Sequence, residues 1–160
     1  MIEKTITISY KVYSSINELP EEDRELALNA IRATDNAYAP YSNFKVGAAV
    51  RMSNGRIFCG NNQENAAYPS GMCAERVAIY YAQSLLPKLS IKAIAVVAKK
   101  DGSVTNSVTY PCAACRQVML EAQQRCGNPI KVIMIGDCKI EVVDSIDALI
   151  PFSFNNLLAD

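Results

Sequence analysis

Apolar and polar residues alternate from Thr5 to Tyr13, where Ile6, Ile8, Tyr10 and Val12 share one side. A period of two predicts a strand or an extended N-terminal segment. The pattern then changes. Leu19-Pro20-Glu21-Glu22-Asp23 puts a proline and three acids where a helix begins, and Leu26, Ala27, Ala30, Ile31 and Thr34 follow at helical spacing. That helix is expected to stop before Pro40. Phe44 to Met52, the turn Ser53-Asn54-Gly55 and Arg56 to Gly60 read as a hairpin closed by Asn-Gly.

From Cys73 the run Ala74 to Ala82 is rich in helix formers and free of glycine and proline, so a second helix starts at or just after Cys73. Ile91 to Ala98 is a nearly continuous β-branched apolar run and reads as a buried strand. A third helix follows Pro111 and ends near Cys126-Gly127, where glycine suits a left-handed cap. Strands at Ile130 to Ile135 and Lys139 to Val143 follow, then a short helix around Ser145 to Ile150. This order predicts an α/β fold, a three-layer α/β/α sandwich around a mixed sheet of about five strands, with strand order unreadable from the chain. Residues 1–19 read as an N-terminal extension, in part a strand, and 20–160 as one domain.

Composition narrows the partners. A chain of 160 residues, half of them apolar, can bury one sizeable core. Lys plus Arg equals Asp plus Glu, 16 against 16, so no net field draws it onto nucleic acid or anionic membranes. A small, nearly neutral ligand fits better. No run reaches bilayer length and no leader is evident, so a cytoplasmic protein is expected. There are six cysteines and no histidine. Cys59, Cys126 and Cys138 lack paired spacing and read as small buried hydrophobes.

The other three cysteines carry chemistry. Cys73-Ala74-Glu75 is followed by Pro111-Cys112-Ala113-Ala114-Cys115, and Cys112 and Cys115, three apart at a helix start, can reach one ion. Helix N-termini also favour thiolates. Cys73, opening another helix, can supply a third sulfur. Three protein ligands leave one position on a zinc ion for water, whose pKa falls to about 7. Glu75 is turned roughly 200° from Cys73 on an ideal helix, so it suits a proton shuttle rather than a ligand. Three thiolates leave the centre anionic, and Arg76 is the cation nominated to offset them, Arg116 a second candidate. A lone C-x-x-C also occurs in redox sites, and a four-cysteine structural site would need Cys126 or Cys138. The full Cys-x-Glu then Pro-Cys-x-x-Cys pattern is that of zinc nucleobase deaminases, with cysteine where many carry histidine.

At these residues the chain closely resembles cytidine deaminase, in particular the small three-cysteine type that assembles as a tetramer. The likeness includes Tyr38 to Ala49 (YAPYSNFKVGAA), Gly60 to Pro69 (GNNQENAAYP), Cys73 to Arg76, Cys115-Arg116-Gln117-Val118 and Leu149 to Phe154. It spans most of the chain from about Glu21 to Phe154. The resemblance implies one Zn2+ per subunit and hydrolysis of cytidine and 2′-deoxycytidine to the uridines with release of ammonia, as in pyrimidine salvage. It implies that Asn62 and Glu64 hold the ribose 3′-hydroxyl, that Phe44 packs on the pyrimidine, that Ala74 touches substrate, and that Phe154 reaches a neighbouring subunit's site in a homotetramer. From the residues alone, Asn62 and Glu64 could equally be polar groups at a strand end, and Phe44 an ordinary core residue. Ala113 stands where the family usually has glycine, and the segment before Leu19 is longer than expected. Alternatives are a deaminase of another cytosine-bearing small molecule such as blasticidin S, or a zinc-stabilised binding protein without catalysis.

Overall fold

A computed structural model describes residues 1–154. Among these residues three α-helices, α1 (Glu21–Ala33), α2 (Ala74–Leu85) and α3 (Ala113–Cys126), pack on a sheet of seven strands, and the short helix expected near the C-terminus is a 3-10 turn over Ile146–Leu149. The strands are β1 (Lys11–Tyr13), β2 (Phe44–Met52), β3 (Ile57–Asn61), β4 (Ile91–Lys100), β5 (Ser103–Val104), β6 (Lys131–Ile135) and β7 (Ile140–Val143). Their order is β1-β7-β6-β4-β2-β3, with β5 paired to the end of β4. Among the described strands only β4 and β6 pair in parallel, and α3 lies in the crossover that a parallel pair requires.

β4 shows why the molecule has three layers. Ile94 and Val96 face one side with Ala78, Ile79 and Ala82 of α2 and Met119 and Leu120 of α3. Ala93, Ala95 and Val97 face the other with Leu26, Ala27 and Ala30 of α1. A strand buried on both faces needs the continuous apolar run that Ile91 to Ala98 provides. The helix boundaries follow local signals. Pro20 and three acids open α1, Cys112 is the N-cap of α3, and Gly127 at φ +63° ends it.

Three expectations change. The sheet has seven strands rather than about five, because the short β1 and β5 join the five that periodicity marks. The N-terminal alternation forms a strand only over Lys11–Tyr13, which pairs antiparallel with β7, whereas Ile6, Ile8 and Tyr10 are exposed. Alternation supplies a face, but a strand also needs an edge to pair with, and β7 spans only four residues. Cys59, Cys126 and Cys138 are not buried hydrophobes. Cys59 is exposed on edge strand β3 with its Sγ 3.9 Å from the Asn29 carbonyl of α1, Cys126 is half-buried at the end of α3, and Cys138 is exposed between β6 and β7. Among the described residues no helix is long and apolar enough to cross a membrane.

Candidate metal centre and active site

The starts of α2 and α3 meet. Cys73 is the N-cap of α2, Cys112 the N-cap of α3, and Cys115 lies in the first turn of α3. All three sulfur atoms lie within 4.8 Å of one another, and Cys73 Sγ is 3.9 Å from Cys112 Sγ. Thiolates bound tetrahedrally at 2.3 Å would stand about 3.8 Å apart, so the cluster needs only a slight contraction to hold zinc. Helix α2 reaches this position because β3 offers Gly60 beneath it. A Cβ there would come within 2.5 Å of the Ala74 carbonyl oxygen and the Ala78 amide.

The charges fit a metal as well. A hydrogen bond from Cys115, then others from Arg76 and Cys112, hold the Cys73 thiol down at about 5 against the opposing effect of burial. Cys115, giving its proton to that bond, is pushed up, as are buried thiols generally. An Arg76 Nη donates to Cys73 Sγ at 3.6 Å, and the buried Arg76 Nε has no partner. A guanidinium donating to a thiolate is the expected counterpart of an anionic sulfur centre. Three soft sulfurs with this compensation suit zinc.

Glu75, the second residue of α2, is only 4% exposed. Burial pushes its carboxyl up, and the neighbouring Cys73 charge adds to the rise. It lines a cavity of about 370 Å³ together with Cys73, Cys112, Ala74 and Arg76. Phe44, Asn62 and Glu64 line the same cavity. The structure therefore brings together nine of the ten site residues expected from sequence, Cys115 joining through the sulfur cluster. The tenth, Phe154, is exposed on the outside, with its carbonyl accepting a hydrogen bond from Gln117 Nε2 at 2.9 Å.

Asn62 and Glu64 follow β3 and are already partly engaged. Asn62 Oδ1 accepts from the Val46 amide at 2.8 Å, and its Nδ2 donates to the Phe44 carbonyl at 2.9 Å. Glu64 accepts from the Ser42 hydroxyl and the Tyr41 and Ser42 amides, which holds its carboxyl below the usual range. Each side chain keeps a further N–H or lone pair for a ligand. Tyr41, Thr109 and Tyr110 also line the cavity and carried no expected role. Tyr41 lies inside the YAPYSNF run and Tyr110 directly precedes Pro111-Cys112, which were the available signals. Ala113 is exposed as the first residue of α3, where alanine favours the helix.

Residues 20–127 match the family model described as the cytidine and deoxycytidylate deaminase zinc-binding region. The chain belongs to this family. Over 100 residues it is 46% identical to a cytidine deaminase of Halalkalibacterium halodurans, covering 62% of this chain and 71% of that one. It is 38% identical over 112 residues to the cytidine deaminase of Mycobacterium tuberculosis, covering 68% and 80%. The crystal structure of cytidine deaminase from Burkholderia pseudomallei superposes with a TM-score of 0.67 at 41% identity, covering 81% of this chain and 97% of that one.

Proposed function

We propose that the chain is a zinc-dependent hydrolase that converts cytidine and 2′-deoxycytidine to uridine and 2′-deoxyuridine, with Cys73, Cys112 and Cys115 holding the metal and Glu75 carrying protons. The observation that carries this reading is a buried carboxylate at the wall of a cavity beside three clustered sulfurs. Zinc supplies a Lewis-acid position that activates water. Glu75 accepts the first proton that the attacking water loses and delivers it to ring N3, then takes the remaining proton from the new C4 hydroxyl and passes it to the departing amine. A C–O bond forms at C4, the C–N bond breaks, and ammonia leaves. A carboxyl pushed up by burial is a stronger base toward the attacking water than an ordinary one, and it keeps the proton it takes until the ring accepts it. Arg76 offsets the thiolate charge, Asn62 and Glu64 orient the sugar, Phe44 stacks on the base, and Ala74 at the start of α2 closes on the substrate.

The assembly reading is a homotetramer in which Phe154 completes a neighbour's cavity. It is supported by exposed aromatic residues at the cavity rim, among them Tyr68 at 91% and Tyr41 at 63%, which a second subunit would cover. Residues 1–19 are read as an extension whose short strand covers the edge of β7. The test is a zinc determination on the purified protein paired with ultraviolet detection of cytidine loss. One zinc per chain with deamination is expected; stoichiometric zinc without turnover of cytidine or deoxycytidine would sink the substrate reading.

A further inference from the structure

Between β5 and α3, residues 105–112 form neither helix nor strand, yet they deliver one of the three sulfurs. Cys115 is fully buried within α3, so core packing fixes it, whereas Cys112 is exposed. Other contacts must hold Cys112. The Thr109 amide donates to the Ile135 carbonyl at 3.2 Å, and Arg116 Nε donates to the Pro111 carbonyl at 2.9 Å. The segment also lies directly on Gly136, where a Cβ would come within 2.8 Å of the backbone of Ser107 and Val108.

Val108 is buried in the core, the Asp137 amide donates to the Thr105 carbonyl at 2.9 Å, and the hold nearest Cys112 from outside α3 is a side chain. The Tyr110 hydroxyl donates to Glu141 Oε2 at 2.8 Å, and Lys139 Nζ donates to Glu141 Oε1 at 2.6 Å. Glu141 sits on β7 and is buried, with Val12 of β1 opposite it in register. Burial pushes its carboxyl up, but the hydrogen bonds from Lys139 and Tyr110 outweigh that and keep it ionised. Tyr110 itself is half exposed, so it is held by a charge-assisted bond more than by packing.

We propose that Tyr110 is a positioning residue for the metal centre: clamped by Glu141 and Lys139 across the sheet edge, it holds the loop so that Cys112 meets Cys73 and Cys115 before any ion arrives. The proposal rests on the three cysteines being the zinc ligands. A ligand held ready spares the ion the cost of ordering the loop, which strengthens binding and slows release. Sequence hides this link because Tyr110 and Glu141 stand 31 residues apart.

The experiment follows zinc release from the holoenzyme into excess chromogenic chelator for the wild type, Tyr110→Phe, Glu141→Gln and the double variant. Tyr110→Phe is expected to release zinc about tenfold faster, the lower end for groups that support metal ligands. Glu141→Gln keeps an acceptor oxygen and should fall between, and the double variant should be no faster than Tyr110→Phe. Unfolding of the metal-free proteins is measured alongside. A lowered unfolding midpoint with wild-type zinc release would mean a purely structural bond and overturns the proposal. So does a double variant whose effect is the product of the two singles. If Tyr110→Phe does not fold, Glu141→Gln decides: faster release supports the proposal and the wild-type rate ends it. Failure of the ligand assignment is seen separately, as a Cys112→Ser protein that retains zinc as well as the wild type.

Discussion

Glu75 keeps its carboxyl where charge is costly, buried and beside sulfurs that turn anionic, a cost that the amides of the helix start offset only in part. A neutral amide of the same shape avoids that cost but cannot carry a proton. Glu75→Gln should therefore retain stoichiometric zinc, lose about 10²–10⁴-fold in turnover, and unfold at a higher temperature than the wild type at neutral pH when both are metal-free. Metal analysis, cytidine assay and calorimetry on one preparation check the three parts. Turnover within a few-fold of wild type would remove Glu75 from the proton path. Arg76 is the complementary case. Its hydrogen bond to Cys73 offsets negative sulfur, so Arg76→Gln is expected to weaken zinc binding while leaving the cavity's shape in place. Zinc affinity equal to wild type in that variant would reduce Arg76 to a packing residue.

The site depends on how elements meet. Helix α2 can lower Glu75 into the cavity only because Gly60 on β3 leaves room for the Ala74 carbonyl. Gly60→Ala is expected to destabilise the fold by about 1–3 kcal/mol, as overpacking does, and to lower turnover further by shifting the first turn of α2. Denaturant unfolding and kcat would both have to change; normal kcat in a destabilised variant would separate packing from positioning. The loop before β2 is stapled by Glu64, whose carboxyl is held low by the Ser42 hydroxyl and the Tyr41 amide. A carboxyl held low in the folded state adds stability above its ordinary value of 4.5, and that stability is lost as pH falls through and below it. Metal-free wild type should thus lose thermal stability between about pH 5 and pH 3, with a shallower loss in Glu64→Gln. Identical pH profiles would show that the staple contributes nothing. Local signals were legible at this scale: Asn-Gly fixed the hairpin, Gly127 the end of α3, and Cys-x-Glu with Pro-Cys-x-x-Cys the two helix starts. What stayed hidden is set by distant partners. The length of β1 depends on β7, the placing of β6 beside β4 on a crossover, and the Tyr110 clamp on a strand that no local pattern links to the loop.

For the molecule as a whole, the question is why a chain with a complete-looking centre leaves so many aromatic side chains in water. Phe152 and Phe154 are 88% and 69% exposed, although Arg116 and Gln117 of α3 hold the carbonyls of Leu149 and Phe154. A segment pinned by its backbone with its rings outward is shaped to present those rings to another surface. If that surface is a neighbour's cavity, the two halves of one active site come from different chains. Subunit mixing tests this. Phe154→Ala subunits keep Glu75 but lack the ring, and Glu75→Gln subunits keep the ring but lack the proton carrier. Each homogeneous protein is expected to be nearly inactive. Unfolded together and refolded, they should form mixed assemblies in which an intact Glu75 site receives an intact Phe154, so that activity rises well above the sum of the separate preparations. Activity that never exceeds that sum, in mixtures shown by mass to contain both chains, would mean that Phe154 serves its own subunit or none.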